Sequence, residues 1–213
     1  HRVNIKKTNP VSLPQFNSST GENFTSLDKS KQELSRVDVF FPITHGKNGE
    51  DGSLQGFLEL VGKPYVGADV YGSAICMDKD VTKRLLQNHN IPVSKYKLLR
   101  NPDEVSFEHA ANELGHTLFV KPCREGSSIG ISKVKNADEY GIALERAFSV
   151  GRKVLIEEEI VGREIECSVV GNNFPEASSV LGEIIPLRDF YSYDAKYLDD
   201  DGAELIIPAR IDI

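Results

Sequence analysis

Short apolar runs alternate along this chain with longer stretches whose apolar residues recur at helical spacing. Residues 1–36 are polar and weakly patterned, and Asn17–Gly21 reads as loop. Val37–Ile43 then reads as a buried strand, followed by a turn-rich loop, His45–Gly52. Leu54, Phe57, Leu58 and Val61 lie on one face of a helix for which Ser53 is the expected cap. Pro64–Val66 is a short strand that ends at Gly67.

Helical spacing returns around Asp78–His89, and Pro92 favours extended chain from Ile91 to Leu99. A helix near Asp103–Leu114 leads into a strand at Thr117–Val120, and a Gly/Ser loop connects it to a strand at Ile131–Val134. Asn136 with Glu139 three residues on resembles a capping box and opens a helix to about Phe148. Val154–Ile156, Glu164–Val170 and Val180–Ile185 read as further strands. This alternation of strands and helices predicts an α/β fold. The first clear strand comes only at residue 37, and Ile207–Ile213 stops where another element is expected. Part of a larger protein is therefore the expectation.

Composition narrows the class. With 213 residues, 39% apolar and 27% charged, the chain can bury a core. A net charge of −7 disfavours nucleic acid or an anionic membrane as partner. No apolar run reaches the ~18 residues of a membrane span. Cys76, Cys123 and Cys167 are far apart and form no CxxC pair, which predicts reduced thiols and a cytoplasmic location.

Several segments could carry chemistry. Lys121–Gly130 joins strand to strand with small residues that let backbone N–H groups approach an anion, and Lys121 adds a positive charge. The same segment could be a plain hairpin turn. Lys79 and Lys83, four apart, share a helix face and are either a phosphate-facing pair or a solvated stripe partnered by Asp78 and Asp80. Glu157–Glu159 end an apolar strand, where they could accept from a ribose or an adenine amine or simply face water. His45, beside glycines before a helix, could bind an anion or place a polar side chain at a cleft floor, or be merely exposed. Tyr191–Tyr197 is aromatic yet lies among turn formers, as a lid or a surface hairpin would. No carboxylate spacing defines a metal site.

Taken in order, His45–Gly56, Gly62–Gly67, Ser73–Lys79, Phe119–Pro122 with Gly126–Ser128, Val154–Glu158, Gly162–Glu164 and Tyr191–Tyr197 resemble the D-alanine–D-alanine ligases of the ATP-grasp superfamily. The resemblance implies an ATP-grasp fold preceded by a Rossmann-like N-terminal α/β domain, only partly represented. Residues 1–68 would belong to that N-terminal domain, 69–157 to the central ATP-grasp lobe, and 158–213 to the start of the C-terminal lobe.

It also implies roles. Lys79 and Lys121 would contact ATP phosphates, with Lys121 near the nucleotide base as well, and Glu157, Glu158, Glu159 and Ile160 would line the adenine pocket with Phe190 packed on the base. Glu164 would bind the ribose. Ser127 and Ser128 would belong to the loop over the phosphates, and Lys196 and Tyr197 to the lid. Tyr197 with Ser127 would close the D-alanine site, with His45 near the first D-alanine. D-alanine, ATP and a homodimer partner are implied, as is magnesium, whose ligands are expected in a C-terminal segment beyond this sequence. Arg210-Ile211-Asp212 looks superficially like the family's metal motif, but its position marks Asp212 as the start of a helix. Tyr193 with Lys196-Tyr197 favours D-alanine over D-lactate as acceptor; a D-alanine–D-serine ligase and a non-catalytic ATP-binding remnant stay open.

Overall fold

The computed structural model describes residues 37–187 and 202–211. Its centre is a four-stranded antiparallel sheet of β1 (Tyr96–Leu99), β2 (Leu118–Pro122), β3 (Ser132–Val134) and β4 (Val154–Glu158), in the order β1-β4-β2-β3. Strand residues point alternately to opposite faces. Leu118 and Val120 of β2, with Val154 and Ile156 of β4, face α4 (Phe107–Leu114) and α5 (Ala137–Val150). Tyr140, Ala143, Leu144 and Ala147 of α5 complete this core. The intervening residues Phe119, Lys121, Leu155 and Glu157 therefore share the other face. The register pairs Phe119 with Glu157 and Lys121 with Leu155, which makes Lys121 and Glu157 diagonal neighbours across two strands.

Helix starts follow side-chain caps. Three helices precede the sheet: α1 (Ser53–Leu60), α2 (Val70–Met77) and α3 (Lys79–Asn88). The Asp69 carboxylate accepts from Gly72 N at the start of α2, and Asp78 accepts from Val81 N at the start of α3. Ser106 caps α4 by accepting from His109 N, so this helix begins later than the pattern at Asp103 suggests. Ahead of it, Glu104 accepts from Arg100 N at 2.9 Å and ties those residues into a turn. Asn136 accepts from Glu139 N at 2.9 Å, as expected, but Glu139 reaches back to Lys135 N, one residue before the cap. Ser53 is not a cap: Gly52, in the left-handed region, precedes α1, and Asp51 accepts the Ser53 N–H instead.

Val37–Ile43 is not a buried strand. Phe40 makes a single parallel bridge to Tyr65, while Phe41 and Ile43 are 68% and 75% exposed. An apolar run is buried only where layers cover both faces, and among the described residues none covers this one. Beyond β4, the expected strand at Glu164–Val170 splits into β5 (Glu164–Glu166) and β6 (Val169–Val170). β6 pairs with β7 (Glu176–Ala177), and β5 joins β8 (Gly182–Pro186) and β9 (Ala203–Ile206) in a second antiparallel sheet. The buried Glu183 carboxylate of β8 takes two hydrogen bonds from Arg163 at 2.6 Å, which holds it below the usual carboxylate range. No helix of the described residues is long and apolar enough to cross a membrane.

Candidate functional site

The face of the sheet away from α4 and α5 gathers three cations around one carboxylate. Lys121 donates to Glu157 Oε2 at 2.8 Å, and Lys83 Nζ lies 3.3 Å from Glu157 Oε1. Lys83 also donates to Ser94 Oγ at 2.6 Å and lies over the Tyr96 ring, 5.2 Å from its centroid. Burial alone would raise the Glu157 pKa; Lys121 and Lys83 outweigh it and hold the carboxyl below its ordinary value. Lys79, one turn before Lys83, donates to the Glu125 carbonyl at 2.6 Å. Burial, reinforced by repulsion from Lys121, lowers the Lys79 pKa. A polyanion between Lys79 and Lys121 would relieve that repulsion, so this arrangement suits phosphate chemistry.

The loop after β2 lies beside the His45–Gly52 loop. A Cβ on Gly126 would come within 2.8 Å of Gly46 Cα, so only glycine permits this approach of two backbones. Ser127 and Ser128 follow with φ of 50° and 58°, both left-handed. Gly46 N donates to the Glu50 carboxylate, and Gln55 Nε2 donates to Gly49 O at 3.0 Å, which pins the first loop from within. His45 is exposed at the edge of this junction. Candidate residues from four separate segments of the sequence thus converge: Lys79, Lys121 with the Ser127–Ser128 turn, Glu157 and the His45 loop.

Other candidates sit differently. The Glu158 carboxylate accepts from Lys95 N at 2.6 Å and joins the end of β4 to the chain entering β1. Glu159 pairs with Lys133 at 2.6 Å, Ile160 is 66% exposed, and Glu164 is an exposed residue of β5. Phe190, Lys196, Tyr197 and Asp212 lie outside the described residues. Asp78 and Asp80 do not partner Lys79 and Lys83. Lys153 bridges both carboxylates, at 2.8 and 2.9 Å, while Arg124 binds Asp78 and Arg84 binds Asp80. These aspartates lie at the start of α3, where the partly buried Lys153, whose carbonyl accepts from Cys123 N, reaches them.

Ser94 and Lys153 were not singled out by the sequence. The only signal for them is adjacency to a strand start, which many polar residues share. A cleft of about 980 Å³ lined by Lys47, Asp78, Arg124, Glu125 and Lys153 touches the loop through Glu125 but includes neither Lys121 nor Glu157. Among the described residues, no group of three or more His, Cys, Asp or Glu side chains could hold a metal ion.

Two family models match the chain: D-ala D-ala ligase N-terminus over residues 2–68, and D-ala D-ala ligase C-terminus over residues 85–213. The chain belongs to the D-alanine–D-alanine ligase family. It is 51% identical over 182 residues to D-alanine–D-alanine ligase A of Escherichia coli K12, covering 84% of this chain and 50% of that protein. The D-alanine–D-alanine ligase of Oceanobacillus iheyensis is 51% identical over 193 residues, covering 90% and 52%.

Solved structures of the family agree. D-alanyl-alanine synthetase A from Vibrio cholerae superimposes with a TM-score of 0.68 at 34% identity, over 80% of this chain and 52% of that one. The VanG D-Ala:D-Ser ligase from Enterococcus faecalis gives a TM-score of 0.67 at 40% identity, over 83% and 51%. The fold is thus the ATP-grasp fold of D-alanine–D-alanine ligases, which are ATP-dependent enzymes. The chain spans about half the length of the curated relatives it matches.

Proposed function

We propose that the protein containing this chain joins two D-alanines at the expense of ATP, making D-alanyl-D-alanine for peptidoglycan precursors in the bacterial cytoplasm. The observation that carries this reading is the approach of Gly126 to Gly46, which sets the Ser127–Ser128 turn against the His45 loop beside Lys79 and Lys121. The lysines beside this junction suit phosphates.

In this reading Lys79 and Lys121 hold ATP phosphates under the Ser127–Ser128 loop. Glu157 accepts from the adenine amine, with Glu158, Glu159 and Ile160 along the same strand end. Glu164 takes the ribose hydroxyls, and Phe190 packs on the base. Lys196 and Tyr197 form the lid, and Tyr197, Ser127 and His45 enclose D-alanine. Residues 1–68 form part of the substrate-binding domain, 69–157 the central lobe and 158–213 the start of the C-terminal lobe; the family models ending at 68 and beginning at 85 support the first boundary. The intact protein is proposed to act as a homodimer.

A D-alanine carboxylate oxygen attacks the γ-phosphorus, and the bond to the bridging oxygen breaks with its electron pair leaving on ADP. The free amine of a second D-alanine then attacks the acyl carbon. The tetrahedral adduct expels phosphate with the C–O electron pair, and the amine proton passes to solvent. The chain's lysines offset phosphate charge and align the reacting groups, while lid closure excludes water from the acyl phosphate. Magnesium, when bound, would shield the phosphate oxygens. Among the described residues, no group of three or more His, Cys, Asp or Glu side chains could hold it.

Similarity to the D-Ala:D-Ser ligase supports D-serine as a second reading for the acceptor. The test is to incubate the intact protein with ATP, magnesium, D-alanine and competing D-serine, then follow ADP release and product mass. D-alanyl-D-alanine as the dominant product is expected. A dominant D-alanyl-D-serine product would favour the second reading, and no D-alanine-dependent ADP release would point to a nucleotide-binding remnant.

A further inference from the structure

Glu157 has two cationic partners that differ in how they are held. Lys121 has 24% of its side chain exposed, donates to Glu157, and lies 5.2 Å from the Phe119 ring centroid. Lys83 has a matching ring contact with Tyr96 but is 13% exposed and more firmly seated, because it also donates to Ser94 Oγ at 2.6 Å and Ser94 O at 3.3 Å. Ser94 Oγ in turn lies 3.4 Å from Glu157 Oε2. Lys121 is therefore the partner that an incoming phosphate can draw away. Once it leaves, the Glu157 carboxylate, 7% exposed, needs another counter-charge. A buried carboxylate without one takes up a proton.

We infer that Lys83 is a positioning residue: anchored by Ser94 and Tyr96, it keeps Glu157 ionised and oriented as an acceptor while Lys121 transfers to the nucleotide. This rests on the proposed ATP site and adds a division of labour between two lysines. The charged and titratable groups facing Glu157 are Lys79 and Lys83 from α3, Lys121 from β2 and Tyr96 from β1. Of these, Lys79 is engaged by the Glu125 carbonyl, and the Tyr96 phenol carries no positive charge. Lys83 is then the cation left to balance Glu157 when Lys121 moves.

The test measures ATP binding to the intact protein by calorimetry near about pH 6.5, in two buffers of different ionisation enthalpy. The difference between buffers counts protons exchanged on binding. Lys83→Met is expected to weaken ATP binding about tenfold or more and to add proton uptake on the order of half a proton or more relative to wild type, because Glu157 must then protonate. Lys83→Arg should restore the wild-type proton count, and Ser94→Ala should shift it in the Lys83→Met direction by less. Ser94→Ala also serves as the test if Lys83→Met does not fold. Weaker binding with an unchanged proton count in these variants would overturn the inference, as would unchanged binding. Failure of the wild type to bind ATP would instead overturn the nucleotide site itself.

Discussion

Lys121 is where burial, register and charge meet at the scale of one residue. Its place on β2 makes it the diagonal neighbour of Glu157, and Phe119 two residues earlier lies under its ammonium, 5.2 Å from the ring centroid. Replacing it with alanine removes one charge-assisted contact to phosphate. Lys121→Ala is expected to raise the ATP dissociation constant roughly tenfold to a hundredfold, as read by calorimetry, with Lys83 still holding Glu157. An unchanged dissociation constant would remove Lys121 from the nucleotide site. Lys121, Lys79 and Glu157 were all legible in the sequence as charges at strand and helix ends. Their mutual arrangement was not, because the contacts join residues 36 or more positions apart. The aspartates beside Lys79 show the same limit: adjacency in sequence suggested pairing, but Lys153, 73 positions beyond Asp80, takes that place.

Among the elements, α5 was legible from its local signals, whereas α2 went unread despite its Asp69 cap, and the strands fixed by distant partners were not legible. α5 has a cap, acidic residues in its first turn and a continuous apolar face, and it forms where expected. Its cap predicts a plain stability effect. Asn136→Ala should cost about 1 kcal/mol, seen as a melting temperature lower by roughly 2–4 °C, with ligase turnover unchanged because Asn136 touches no candidate site residue. A loss of turnover would mean that α5 couples to the site in a way the fold does not suggest. The Val37–Ile43 run carries a strand pattern without a covering layer, and α2, β7 and β9 went unread. β6 and β7 are two residues each, too short to leave a period, and Glu204 of β9 interrupts its apolar run. The glycine loop was visible as small residues after a strand; the need for glycine at 126 became plain only once Gly46 stood against it.

Over the whole molecule, an acidic chain of net charge −7 concentrates Lys79, Lys83 and Lys121 on one sheet face. Such a local field can draw in a polyanion that the overall charge would repel. The sheet supplies rigidity and the two glycine loops supply close approach, and the proposed ligation needs both. In the proposed reaction one D-alanine carboxylate oxygen leaves with the phosphate. The most direct measurement supplies the intact protein with ATP, magnesium and D-alanine carrying heavy oxygen in its carboxylate, then weighs the released phosphate and the dipeptide. The prediction is a single heavy oxygen in each phosphate, formed in step with D-alanyl-D-alanine. Dipeptide accompanied by unlabelled phosphate would contradict the acyl-phosphate route, and phosphate release with no dipeptide would contradict the ligase itself.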